Sequence, residues 1–114
     1  MSQPAEQNTE LARPVRELRP RVDVYENTDE LLLLADMPGA TAASVNVQFE
    51  DGRLTMAADR VGTDGEKLRY LRAFQLPDTV DPEKIAAELK HGVLHVHLPR
   101  AERAKPRTIA IRAA

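Results

Sequence analysis

The sequence contains no cysteine and no tryptophan, and only two tyrosines and two phenylalanines among its 114 residues. Without cysteine there can be no disulfide framework, no thiolate nucleophile and no cysteine-ligated metal site. Aromatic side chains usually supply much of the apolar area of a protein core. We therefore expect a thin core, built mainly from Leu, Val, Ile and Ala.

Long hydrophobic runs and a dominant charge of one sign are also missing. No apolar run approaches the roughly 20 residues of a membrane helix, and the polar first ten residues do not resemble a signal peptide. A formal net charge of -2 supplies no positive field for nucleic acid. With 42% hydrophobic and 30% charged residues, the chain is typical of one soluble domain. We expect a cytoplasmic protein with no nucleic-acid partner and no membrane partner.

From residue 22 onward the sequence consists of short apolar or alternating segments separated by turn residues. Alternation at period two indicates strands with one buried face. Such segments cover residues 22–26, 31–35, 45–49, 53–56, 68–76, 84–89 and 93–98. Asp81-Pro82-Glu83 resembles a helix start, but His91-Gly92 soon stops the segment after it, which we interpret as a strand. Short strands with hairpin turns and no long helix predict an all-β fold, an immunoglobulin-like antiparallel β-sandwich.

The two ends of the chain do not follow this pattern. Residues 1–20 are polar and contain three prolines, so we predict a disordered N-terminal arm. The sandwich domain then covers residues 21–100. Residues 101–114 begin with charged residues and contain the apolar triplet Ile109-Ala110-Ile111. We predict a C-terminal extension in which a tether carries an apolar hook.

Four short motifs occur in a fixed order along the chain: a turn, a strand end, a strand-turn-strand segment and the final triplet. They are Ala35-Asp36-Met37-Pro38-Gly39, Arg72-Ala73-Phe74-Gln75-Leu76-Pro77, Ala87-Glu88-Leu89-Lys90-His91-Gly92-Val93-Leu94 and Ile109-Ala110-Ile111. Each motif alone is weak evidence for a family. Together they resemble the small heat-shock protein family, whose core is the α-crystallin domain, over about residues 21–111. In the third motif, His91 replaces the Asn that is usual in this family.

The resemblance implies a stress-response chaperone and no enzyme. Such a protein is an ATP-independent holdase, which binds partly unfolded client proteins and suppresses their aggregation. The chain has no nucleotide-binding motif. The alternative is a co-chaperone or adaptor β-sandwich that binds one specific folded partner. Adaptors of that type lack the C-terminal hook.

In an extended segment Ile109 and Ile111 point to the same face. The resemblance implies that this hook enters a groove between the strands at 45–49 and 85–89. It assigns four residues to the groove for hook and clients: Val47, Phe49, Ala87 and Leu89. The alternative also stays open that the two isoleucines complete the chain's own sheet as an inward-facing last strand.

Self-association is expected to give a dimer or a low oligomer. Bacterial and plant relatives exchange a strand carried on a long loop, but the connection over residues 59–67 is too short for a strand with two linkers. The resemblance then implies an isologous dimer through the strand at 68–76, as in animal relatives. It assigns three residues to this interface: Tyr70, Arg72 and Phe74. For Arg72, an interface ion pair and an exposed rim charge are both open.

No catalytic, cofactor or metal site is predicted. The two pairs of adjacent carboxylates, Asp29-Glu30 and Glu50-Asp51, lie in predicted turns without a neighbouring His or Ser nucleophile, so general acid-base chemistry is not indicated. His95 and His97 point to one face of a strand, as two metal ligands would, but His91 is the only other candidate ligand. A solvated sheet face is the favoured interpretation of the two histidines.

Overall fold

The computed structural model describes residues 15–113 of the chain. Within this range, eight strands and three short 3-10 helices are connected by turns and loops. The strands are β1 (Arg16–Leu18), β2 (Val22–Glu26), β3 (Glu30–Asp36), β4 (Asn46–Glu50), β5 (Arg53–Val61), β6 (Lys67–Gln75), β7 (Ala86–Lys90) and β8 (Val93–Pro99). The 3-10 helices are Ala42–Ser44, Pro82–Lys84 and Glu102–Ala104. None of these helices is long and apolar enough to cross a membrane.

The strands form two four-stranded sheets. One sheet has the strand order β1-β6-β5-β4, and the other has the order β2-β3-β8-β7. The pairing of β1 with β6 is parallel, and the other strand pairs are antiparallel. The predicted all-β antiparallel sandwich is confirmed. Two of its edge strands, β4 and β7, end the two sheets on the same side of the sandwich and define the site described below.

The core lies between the inner faces of the two sheets and follows the period-two pattern of the strands. Its buried apolar residues are Leu33, Ala35, Met37, Leu54, Met56, Ala58, Leu68, Tyr70, Val80, Leu94, Val96 and Leu98. No isoleucine of the described residues is fully buried, whereas two methionines are, which differs from the expected composition. Methionine suits a core with few aromatic rings because its unbranched side chain fills irregular gaps.

One strand lies where disorder was expected. The predicted disordered arm falls largely outside the described residues, but its last part forms β1, which pairs with β6. Leu18 packs against the core, and Pro20 is buried. These apolar contacts explain an ordered end to the arm, which its proline content did not indicate.

The segment before β7 also differs from its prediction. The strand expected over residues 84–89 begins at Ala86, and a 3-10 helix, Pro82–Lys84, precedes it. The Asp81 side chain accepts a hydrogen bond from the backbone N–H of Glu83 at 3.0 Å, which caps this helix. Asp81-Pro82-Glu83 therefore does begin a helix, but this helix is a single 3-10 turn.

Two turns from the family-like motifs contact each other. Gly92, in the turn between β7 and β8, has a φ of 76°, and its carbonyl accepts a hydrogen bond from the backbone N–H of Met37 at 2.7 Å. A Cβ built on Gly92 would lie 3.3 Å from the Cα of Pro38. Glycine adopts this left-handed conformation freely and leaves room for the neighbouring turn. The contact joins two of the four motifs in the folded domain.

Gly92→Ala is therefore expected to destabilise the domain by about 1–3 kcal/mol, through left-handed strain and the tight contact with Pro38. Thermal unfolding followed by circular dichroism measures the change. His91 has a φ of 51°, which asparagine tolerates better than most residues. His91→Asn is thus the matched control in the same turn, and it should leave Tm unchanged or raise it. An unchanged Tm for Gly92→Ala would contradict the role assigned to this turn.

Candidate binding groove

The sandwich is open along the side where β4 and β7 form the edges of the two sheets. Val47 and Phe49 on β4, and Ala87 and Leu89 on β7, are each paired in register with a buried residue of the neighbouring strand. Cross-strand partners point to the same face of a sheet, so these four side chains face inward. They lie at the edges, where no further strand of the described chain covers them.

Two cavities of about 380 Å³ each occupy this opening. The lining residues of the first are Val47, Phe49, Pro82, Ile85 and Ala87. Those of the second are Ala42, Val45, Val47, Ala87, Glu88, Leu89 and Leu94. Because Val47 and Ala87 line both, the two cavities form one continuous depression, which we call the β4–β7 groove. The structure thus brings together the four residues that the family resemblance assigned to a groove.

Ile85 and Leu94 are groove residues that the sequence analysis did not assign. Residues 85, 87 and 89 stand at period two, so the signal for Ile85 was present in the pattern. Leu94 is fully buried and also lines the groove, so the floor of the groove is part of the core. Glu88 is the one charged residue among the lining residues. The groove is therefore suited to apolar side chains.

The predicted hook lies outside the sandwich. Ile109 and Ile111 are 81% and 92% exposed, and their segment forms no strand. The alternative in which they complete the chain's own sheet is therefore not what the structure shows. Two isoleucines this exposed leave a large apolar area in water, which burial in a groove would remove.

The base of the C-terminal tail is attached to the domain. Arg103 Nη2 donates to the carbonyl of Asp78 at 3.1 Å, and Lys105 Nζ donates to Glu102 Oε1 at 3.0 Å. The hydrogen bond between Lys105 and Glu102 raises the pKa of the lysine and lowers the pKa of the glutamate. Ile109 lies four positions after Lys105, and an extended segment of that length spans at most about 14 Å. The tether of the hook is therefore short.

The three residues predicted at a dimer interface lie on β6 in different surroundings. Tyr70 is 4% exposed, and its hydroxyl donates to the Pro38 carbonyl at 2.6 Å, so its side chain belongs to the core of its own subunit. Phe74 is partly buried against the core. Arg72 Nη1 donates to the Pro20 carbonyl at 2.8 Å, and its guanidinium carbon lies 4.7 Å from the centre of the Phe74 ring. The interface role of these three residues stays a prediction.

His95 and His97 lie on the outer face of β8. His97 Nδ1 is 2.9 Å from Glu30 Oε1 on the adjacent strand β3. Within residues 15–113, no three His, Asp or Glu side chains group closely enough to hold a metal ion. The pairing of His97 with Glu30 fits the interpretation of this face as a solvated one.

Comparison with known proteins places the sandwich and the groove in one family. The sequence model of the Hsp20/alpha crystallin family matches residues 23–112. This range covers β2 except its first residue, all of β3 to β8 and also the hook, so the groove and the segment predicted to enter it both lie within the match.

Individual relatives support the same assignment. A probable 15 kDa heat shock protein of Leptospira interrogans is 37% identical over 95 residues, which covers 75% of this chain and 73% of the relative. Heat shock protein 16.0 of Schizosaccharomyces pombe has a similar solved structure, with a TM-score of 0.69 and 28% identity over 84% of this chain and 77% of that one. A small heat-shock protein of Xylella fastidiosa aligns with a TM-score of 0.68 and 30% identity, over 82% and 96% of the two chains.

The family assignment confirms the resemblance seen in the sequence motifs. Members of this family are ATP-independent chaperones and not enzymes, and on that ground the prediction of a chaperone without catalytic activity is confirmed. The chain belongs to the Hsp20/α-crystallin family of small heat-shock proteins.

Proposed function

We propose that this chain is a holdase that binds partly unfolded proteins in the β4–β7 groove and suppresses their aggregation without nucleotide. The observation that carries the proposal is a groove, lined mainly by apolar side chains, that opens between two edge strands of one subunit. Edge strands present unpaired backbone N–H and C=O groups, with which an extended segment of another chain can pair. Val47, Phe49 and Ala87 then receive the alternate apolar side chains of that segment.

The energetics of such a groove favour reversible binding. Burying two side chains of isoleucine size contributes roughly 3–6 kcal/mol before ordering costs are subtracted. The remaining affinity is modest, so clients are held and released without an energy source. An extended segment with apolar residues at i and i+2 fits the two connected cavities, whatever its further sequence.

The chain's own hook fits the same description. Ile109 and Ile111 have the i, i+2 spacing, and both are exposed in the subunit. We include in the proposal that the hook occupies the groove of a neighbouring copy and competes with clients for it. The family resemblance supports this pairing of hook and groove.

The same reasoning extends to assembly and location. The β5–β6 connection is a closed loop in which the Gly62 N–H donates to the Glu66 carbonyl at 2.6 Å. A loop of this length cannot supply a strand for exchange, which supports a dimer or low oligomer without strand swapping. The solved Xylella relative is described as having a distinct high-order structure, which is a property of that protein.

A cytoplasmic location stays a prediction from the sequence.

The holdase proposal predicts that a stoichiometric amount of this protein lowers the light scattering of a heat-labile enzyme by more than half, with or without ATP. Val47→Asp, which places a charge in the groove, should remove most of this suppression because an unpaired carboxylate is costly among apolar contacts. Gln48→Asp is the matched control, since Gln48 is exposed on the same strand, and it should keep full suppression.

The two variants separate the two parts of the proposal. If the wild-type protein suppresses no aggregation under any heating regime, the holdase function is wrong. If Val47→Asp remains folded and suppresses aggregation as well as Gln48→Asp does, the function stands and its assignment to the β4–β7 groove is wrong.

A further inference from the structure

The edge of β6 is covered along only part of its length. β1 pairs in parallel with Leu68–Tyr70 and is the outermost strand of its sheet. The C-terminal part of β6, Leu71–Gln75, has no strand of the described chain on that side. The subunit thus covers one third of a nine-residue edge with its own chain.

Few contacts hold β1 in this position. The strand has three residues, and parallel pairing is slightly less stable per residue than antiparallel pairing. Arg16 and Glu66 form an exposed ion pair at 3.4 Å, and exposed pairs contribute little. Leu18 packs against the core, and the carbonyl of Pro20 accepts the hydrogen bond from Arg72. A short strand held by so few contacts can detach while the rest of the sandwich stays folded.

The uncovered part of the edge, Leu71–Gln75, is basic. A cavity of about 400 Å³ lies beside it, lined by Glu17, Leu18, Arg19, Arg53, Leu71, Arg72 and Ala73. None of its three arginines forms an ion pair with a carboxylate of the described residues. Antiparallel pairing of two β6 edges about a two-fold axis would bring two such clusters together. Like charges that face each other across strands oppose pairing, so pairing confined to this part of the edge is weak.

We propose that β1 is a self-covering strand that competes with a second copy of the chain for the edge of β6. With β1 in place, a partner can pair only with Leu71–Gln75. When β1 leaves, all nine residues of β6 become available, and the longer antiparallel pairing outweighs the repulsion between the arginine clusters. The proposal concerns self-association through β6 and does not rest on client binding in the β4–β7 groove.

A reversible disulfide between β1 and β6 tests this competition. Glu17 and Arg69 are register partners, and strands about 4.8 Å apart bring such Cα atoms within the range that a disulfide spans. Because the natural chain has no cysteine, the double variant Glu17→Cys with Arg69→Cys holds only this pair. It is oxidised at low concentration, and mass spectrometry verifies the intrachain bond. Sedimentation velocity over a concentration series then gives the dimer Kd of the oxidised and the reduced protein.

We expect the oxidised protein to dimerise at least tenfold more weakly than the same protein after reduction, because the bond holds β1 on the edge. Equal Kd values in the two redox states would overturn the proposal. Oxidised and reduced forms have the same sequence, so the loss of the Arg69 side chain affects both alike.

Two truncations of the full chain provide an independent measurement. Removal of residues 1–19 deletes β1 and should tighten the dimer at least tenfold, whereas removal of residues 1–14 leaves β1 and should not change the Kd. Circular dichroism establishes that each protein is folded, and if the longer truncation unfolds, the disulfide comparison decides alone. Equal tightening by both truncations would assign the effect to residues 1–14 and contradict the proposal. Client suppression is measured separately by light scattering, so failure of this proposal and failure of the holdase function are distinguishable.

Discussion

Replacing both hook isoleucines, Ile109→Ser with Ile111→Ser, is expected to weaken the association between hook and groove about a hundredfold. Each isoleucine buries an apolar side chain that serine cannot replace. Their combined gross contribution of roughly 3–6 kcal/mol exceeds the about 2.7 kcal/mol that corresponds to a factor of one hundred in Kd. Assemblies larger than a dimer should therefore disappear at micromolar concentration, which native mass spectrometry or light scattering measures.

Ala110→Ser is the matched control for the hook. Residue 110 points to the opposite face of an extended segment, so the same hydroxyl is added outside the contact. This variant should retain the wild-type mass. An unchanged mass for the double variant would mean that the exposed isoleucines take no part in assembly.

A peptide with the sequence of residues 105–114 tests the location of the contact. Added to the double variant, it should shift the NMR signals of Val47 and Ala87, which line both cavities of the groove. The signal of Gln48, an exposed residue on the same strand, should not move. The peptide should also reduce the suppression of client aggregation, because the hook and the client compete for one site. Shifts confined to another face of the sandwich would contradict the assigned groove.

The strands were predictable because period-two alternation is a local pattern, whereas the groove was expected from the family resemblance. Period-two alternation identified the inward faces of β4 and β7, and those faces line the groove. The exposed position of the hook followed from the charged, proline-containing segment before it. The strand faces and the exposed position of the hook depend on residues that are close together in the sequence.

The features that the sequence did not reveal depend on contacts between distant residues. Each residue of β1 pairs with a residue 52 positions further on, and a strand of three residues carries no periodic signal. The burial of Tyr70 depends on the carbonyl of Pro38, which lies in a turn on another part of the chain. The contact of Gly92 with Pro38 likewise joins two motifs that the sequence presents separately. Such pairings follow from the packing of the two sheets and not from any local pattern.

Leu94 belongs both to the core and to the floor of the groove, so its replacement should affect both stability and binding. Leu94→Ala and Leu98→Ala each remove a fully buried leucine from β8, and each is expected to cost about 2–5 kcal/mol of stability. That is a large fraction of the 5–15 kcal/mol typical of a whole domain. Leu94 also lines the groove, whereas Leu98 does not. The two variants should therefore lose similar stability and differ in binding.

Denaturant unfolding measures the loss of stability, and titration with the peptide of residues 105–114 measures binding at a temperature where both variants are folded. Leu94→Ala deepens the groove below Val47 and Leu89, so a bound isoleucine loses contacts with its floor. We expect a severalfold weaker Kd for Leu94→Ala and an unchanged Kd for Leu98→Ala. If both variants bind equally, the peptide does not reach the floor of the groove. If both weaken equally, binding follows general stability, and the groove has no direct connection to the core through Leu94.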